Sequence, residues 1–215
     1  MSIKVARFIT GVYETNTYIV YSNDVGIVID VGEYVEDIIE VINRLGIEIK
    51  AILITHGHAD HFAGVPRLKQ VFPNAVIYMN FNDIDIAEYT MHQLYPDLYE
   101  YLYNSFRIER DLKENLYNFN SINIKAFETP GHSPGSTVIY IPDVNMLFTG
   151  DTIFMGTIGR TDLIGGSEKD MEKSICKIYR AIPIKSIVYP GHGLETTLEK
   201  EYTNNIYIGK ILENC

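Results

Sequence analysis

The sequence predicts a mixed α/β fold in which β-sheets are buried on both faces. Short continuous aliphatic runs, of which Ala51-Ile52-Leu53-Ile54 is the clearest, read as strands without a solvent face. Residues 34–45 carry Val35, Ile38, Ile39, Ile42 and Leu45 at helical spacing, so one apolar stripe must lie on a sheet. Strand-like runs also end repeatedly in loops that combine glycine with His or Asp. At 215 residues and 46% hydrophobic content the chain can bury a substantial core, and one domain spanning residues 1–215 is expected.

Taken in order, residues 3–9, 17–21 and 26–31 read as a meander of strands, with Ser22-Asn23-Asp24 as a turn. The helix at 34–45 is closed by Gly46. A strand at 50–54 is followed by a short helix at 65–72, which tolerates Pro66 in its first turn, and a strand at 75–79. Segment 80–120 has the weakest pattern. Leu94, Leu98, Tyr101, Leu102 and Ser105 share one helical face, which predicts a helix packed on the core, with a pocket wall or lid as the competing reading. His92 has no ligand-type neighbour and is left out of any site. Strands follow at 122–128, 137–141, 146–149 and 186–189, with a helix at 168–181 and a final helix opened by Thr196 and Glu199 as a capping box.

A net charge of −10 excludes a general phosphate-binding surface, so no nucleic-acid partner is expected. Neither a secretory h-region nor an apolar stretch of about 18 residues is present, which predicts a cytoplasmic protein without a membrane partner. Cys176 and Cys215 are too few for a disulfide framework or a cysteine zinc site, and both are expected as free thiols.

The chemistry concentrates in Thr55-His56-Gly57-His58-Ala59-Asp60-His61, at the end of the 50–54 strand. In extended backbone His56 and His58 point the same way and can approach one ion. Asp60 and His61, beyond the turn that Gly57 permits, can face a second. A lone histidine reads as packing, but three imidazoles and a carboxylate so close together read as a metal site. The second half repeats the arrangement. Thr129-Pro130-Gly131-His132, Gly150-Asp151 and Pro190-Gly191-His192-Gly193 each follow a strand.

With Asp30 after the third strand, these motifs in this order resemble the metallo-β-lactamase superfamily over nearly the whole chain. The resemblance implies a four-layer αββα sandwich with mixed β-sheets and metals at one edge. It assigns His56, His58 and His132 to a first metal and Asp60, His61 and His192 to a second, with Asp151 bridging. Asp60 is also counted as catalytic, and Asp30 is expected to fix a loop from outside the ligand set. Two divalent ions are implied. Zinc is the expectation, although imidazole and carboxylate ligands also suit iron and manganese.

Residues Gly159-Arg160-Thr161-Asp162 most resemble the glyoxalase II-like branch, which hydrolyses thioesters such as hydroxyacylglutathione. The function implied is hydrolysis of small thioesters by a metal-bridging hydroxide, with a small molecule as partner. Arg160 is expected either to meet a substrate carboxylate or to pair with Asp162 and hold its loop. Glyoxalase II continues into a helical domain after its last metal histidine, whereas only residues 193–215 remain here, so weak and tolerant substrate binding is expected. The same loop also resembles persulfide dioxygenases, which use a single iron, and that is the alternative function.

Overall fold

The structure, a computed structural model, describes residues 2–105 and 107–215. Met1 at the chain start and Phe106 within the 80–120 segment lie outside the described residues. Strands β1 (Lys4–Thr10), β2 (Thr15–Ser22) and β3 (Val25–Ile29) form the expected antiparallel meander. β4 (Glu48–Leu53), β5 (Val76–Met79) and the short β6 (Arg110–Asp111) add in parallel, completing a six-stranded sheet in chain order. The second half supplies β7 (Asn115–Phe119), β8 (Ile122–Glu128), β9 (Thr137–Ile141) and β10 (Met146–Gly150). After a small ribbon, β11 (Ile153–Phe154) with β12 (Thr157–Ile158), come β13 (Ile187–Pro190) and β14 (Thr196–Thr197). The second sheet has the order β14-β13-β10-β9-β8-β7, and β10 pairs with β13 in parallel.

Helices α1 (Glu36–Leu45), α2 (Val65–Val71), α3 (Ile84–Leu94) and α4 (Tyr99–Ser105) belong to the first half. Helices α5 (Glu168–Ala181), α6 (Leu198–Asn204) and α7 (Ile206–Leu212) belong to the second. Alternation along the strands sorts the aliphatic residues into three cores. Ile19, Val28, Ile52 and Ile77 meet Ile38, Ile42, Leu68 and Met91 of the first-half helices. Their neighbours Tyr18, Val20, Ile27, Ile29 and Leu53 face Ile124, Ile139, Ile141 and Phe148 of the other sheet. Val138, Leu147 and Val188 pack on Met171, Ile175, Ile178 and Ile208 of the second-half helices. Both sheets are thus buried on both faces, and the layers run α, β, β, α. No helix of the described residues is long and apolar enough to cross a membrane.

Several sequence expectations are corrected. The third strand stops at Ile29 because Asp30 adopts a left-handed φ of 51°, and α1 begins at Glu36 because Tyr34 does so at 61°. The 94–105 stripe is not one helix, since α3 ends at Leu94 before Pro96 and α4 starts anew at Tyr99. Of that stripe Leu102 is buried, while Leu98 and Tyr101 are exposed. Thr196 does not open the last helical segment. Its hydroxyl donates to Glu201, and Thr197 caps α6 by accepting from the Lys200 amide. Cys176 and Cys215 are not free thiols but a disulfide, because α7 packs on α5 and brings the chain end to a Cα–Cα distance of 5.8 Å.

Candidate metal centre

The parallel strands β3, β4, β10 and β13 release their loops at one edge of the sandwich, where β2 also begins. Asp30, residues 55–61, Asp151 and residues 191–193 are gathered there, together with His132 from the loop between β8 and β9. The structure brings all seven predicted ligand-type side chains together, in three overlapping groups. These are His56 with His58 and His132, His56 with His61 and Asp151, and Asp60 with His61 and His192.

Hydrogen bonds outside the cluster decide which histidine nitrogen faces inward. Asp30 accepts from the Thr55 amide and hydroxyl, both at 2.8 Å, and from His61 Nδ1 at 3.0 Å. His61 Nε2 is therefore the nitrogen that turns inward. The Thr55 hydroxyl, already donating to Asp30, can only accept from His56 Nδ1, which frees His56 Nε2. His132 Nδ1 donates to the Arg160 carbonyl at 2.8 Å, which frees His132 Nε2. The freed nitrogens then crowd together. His132 Nε2 lies 2.8 Å and His56 Nε2 3.1 Å from His58 Nδ1, and His61 Nε2 lies 3.2 Å from His192 Nε2. Asp151 sits between the groups, 3.5 Å from both His132 Nε2 and His61 Nε2, and its buried Oδ1 has no hydrogen-bond partner among the described residues. Around His58 and Asp151 the crowded nitrogens and an orphaned carboxylate oxygen repel one another unless a cation lies among them, so these donors fit divalent metal.

The electrostatics divide the cluster. Burial and the neighbouring imidazoles of His132 and His61 push His58 down to about 4, and burial with the His61 charge holds His56 well below the usual imidazole range. Burial also opposes charge on His61, but Asp60, Asp30 and Asp151 outweigh it and lift this imidazole to about 10. Burial likewise opposes charge on Asp60, yet the His61 charge and the His192 hydrogen bond hold its carboxyl well below the usual carboxylate range. His56 and His58 are thus neutral donors, and the second group pairs imidazoles with carboxylates.

Sequence reasoning missed three supporting side chains. Asp83, just before α3, is buried and accepts from the Gly57 amide at 2.7 Å, the Ser133 hydroxyl at 2.6 Å and the Gly135 amide at 2.5 Å. It clamps the His56–His58 loop to the His132 loop. Gly135 leaves room for that contact, since a Cβ there would lie 2.7 Å from the Asp83 carboxyl carbon. An Asp before a helix reads as an N-cap, but Asp83 makes no side-chain cap, so no local signal marks its role. Asn16 donates from Nδ2 to the carbonyls of Pro190 and Gly193, and Thr15 donates to Asp60 Oδ2 at 3.1 Å. Together they tie the start of β2 to the His192 loop. Gly191 is required in that loop, because a Cβ would lie 2.3 Å from Asp151 Oδ1. Arg160 contributes its carbonyl to His132, while its guanidinium forms a two-pronged pair with Asp162, both contacts at 2.7 Å and both side chains exposed.

Comparison with known proteins agrees with this geometry. The metallo-beta-lactamase superfamily profile matches residues 10–192. The chain is 29% identical to the probable metallo-hydrolase YqgX of Bacillus subtilis (strain 168), covering 96% of this chain and 98% of that protein. It is 29% identical to the hydroxyacylglutathione hydrolase GloC of Haemophilus influenzae, over 84% of this chain and 86% of the relative. The crystal structure of TTHA1623 in a di-iron-bound form superposes with a TM-score of 0.80 at 28% identity, covering 94% of this chain and 99% of that one. Fold, converging donors and profile match agree, and the chain belongs to the metallo-beta-lactamase superfamily.

Proposed function

We propose that residues 1–215 act as one binuclear metallohydrolase that cleaves small thioesters. The observation that carries this reading is the convergence of imidazole nitrogens on both sides of Asp151. His56, His58 and His132 would hold one cation and Asp60, His61 and His192 the other, with Asp151 between them. Zinc is the metal proposed. Bound in such a site, divalent cations supply Lewis acidity and a water of lowered pKa near neutral pH.

The chain's own residues do the rest. Asp30, Thr55 and the Arg160 carbonyl keep His61, His56 and His132 in the tautomers that present lone pairs. Asp60 stays ionised across neutral pH and, with Asp151, offsets part of the positive charge, leaving a site that favours a developing oxyanion. Hydrolysis forms a bond from the water oxygen to the acyl carbon and breaks the carbon–sulfur bond. One water proton ends on the carboxylic acid product or in solvent, and the other on the departing sulfur. A thiolate leaves readily, so a strong general acid is dispensable. This suits a cleft whose described lining offers no other His, Asp or Glu beyond the ligand set. The hydroxyacylglutathione hydrolase among the relatives supports thioesters as the substrate class.

The test is anaerobic purification with metal analysis, followed by assays of lactoylglutathione, other acyl thioesters and glutathione persulfide on zinc-loaded and iron-loaded protein. Two metals per chain and thiol release from thioesters are expected. Oxygen consumption with persulfide and no thiol release from any thioester would reject this function in favour of the dioxygenase.

A further inference from the structure

The cleft over the ligand cluster has a volume of about 530 Å³, and its lining divides by chemistry. Its floor is formed by ligand-type residues. Its walls are mostly Tyr13, Tyr89, Leu94, Leu163 and Ile164, with Thr90, Gln93 and Arg160 as polar members. Tyr13, Tyr89 and Ile164 are 43%, 45% and 52% exposed, and Leu94 and Leu163 are half-buried. Of the polar wall groups, Gln93 is exposed, whereas Thr90 and Arg160 are committed elsewhere. The Thr90 hydroxyl donates to the Gly57 carbonyl and accepts from the Ala59 amide. Arg160, the one cation lining the cleft among the described residues, has its guanidinium fork filled by Asp162. The walls are also braced. Tyr13 packs edge-on against Tyr95, whose hydroxyl donates to Glu33, and Leu94 packs against the core beneath the first sheet.

On a chain of net charge −10, half-exposed aliphatic and aromatic side chains gathered around a polar floor are the lining of a ligand pocket. Their chemistry rewards methylene groups, whereas a carboxylate finds no unpaired cation among them. We infer that the cleft selects the acyl half of the substrate, taking an unbranched apolar acyl chain of several carbons, and that Leu94, Leu163 and Ile164 read its length. This rests on the thioesterase reading and adds to it a substrate class. A two- or three-carbon hydroxyacyl group would leave most of this space to water and most of the aliphatic wall uncovered. The specificity residues therefore come from α3 and from the loop before α5, elements that contribute no metal-ligand side chain.

The experiment uses zinc-loaded protein of residues 1–215 and a series of S-acyl N-acetylcysteamines from acetyl to octanoyl, a carrier without charge. The kcat/KM should rise about two- to four-fold per added methylene over the middle of the series, as expected for partial burial of each group. Leu94→Gln and Ile164→Gln should flatten that gradient, whereas Leu116→Gln, an exposed position on β7 outside the cleft lining, should keep it. Non-hydrolysable thioethers with the same chains should bind the metal-free protein with the same order of affinity in calorimetry. A flat or falling series with ready turnover of acetyl thioester overturns the inference and leaves the hydrolase reading standing. An unchanged gradient in both wall variants overturns the assignment of the reading residues. Absence of thiol release across the whole series overturns the thioesterase reading itself, and the inference with it.

Discussion

A histidine can ligate a metal only through a nitrogen whose lone pair is free, and here side chains and a carbonyl outside the cluster determine which nitrogen that is. Asp60→Ala removes one of the donors of the second group and the partner of Thr15. It should lose one metal per chain and about 100-fold or more in kcat, measured by metal analysis and thiol release. The proton affinities give a second prediction. The folded value of His58 lies at about 4, below its ordinary value of 6.5, so at acid pH the unfolded chain binds a proton that the folded chain refuses. The stability tied to its neutral form is present above about pH 6.5 and is lost as pH falls toward 4. His61 runs the other way. Its folded value of about 10 lies above 6.5, so its contribution is full below 6.5 and disappears as pH rises through 10. Metal-free protein should melt highest near neutral pH and lower on both sides, and His58→Gln should soften the acid limb.

At the scale of elements, the structure couples loops that are far apart in sequence. Asp83 joins the His56–His58 loop to the His132 loop with three donors on two carboxylate oxygens. An Asn in its place has one acceptor oxygen and an NH2 that cannot accept, so at least one buried amide or hydroxyl loses its partner. Such a loss costs about 1–3 kcal/mol. Asp83→Asn should lower the melting temperature and weaken metal binding at the His56, His58 and His132 group about 10- to 100-fold, read by chelator competition. Metal at the Asp60, His61 and His192 group should be affected less. Asn16 does the corresponding work for the His192 loop, which it reaches from β2 across the sandwich edge.

At the scale of the molecule, two sheets and two helical layers make three stacked cores, and the ligand loops leave from one edge of them. The C-terminus is fixed to the outer layer by the Cys176–Cys215 disulfide, which spans 39 residues of sequence. A crosslink over a loop of that length stabilises by about 2–4 kcal/mol, chiefly by restricting the unfolded chain. Reduction, or Cys215→Ser, should therefore shift the urea midpoint downward by that amount divided by the m-value. Thioester turnover should be unchanged at temperatures where the protein stays folded, because neither cysteine lines the cleft.

The local sequence by itself determined the aliphatic strands, since runs without polar interruption have nowhere to go but between two layers, whereas the polar β7 and the two-residue strands β6, β11, β12 and β14 carried no such signal. It also determined the ligand-type residues, because His56, His58, Asp60 and His61 are neighbours on one loop and His132, Asp151 and His192 each follow a strand beside glycine. Where the signal was a long-range partner, local pattern carried none of it. Asp83 looks like a helix cap until the fold sets the Gly57 and Gly135 amides against it. Cys176 and Cys215 look like isolated thiols until α7 lies on α5. Residues 94–105 read as one amphipathic stripe, but Pro96 interrupts it, and the packing of α3 alone makes that helix at once a core element and a wall of the cleft. Only tertiary structure decided these roles, for the physical reason that a hydrogen-bond acceptor, a thiol or a half-buried leucine acquires its function from what the rest of the chain places opposite it.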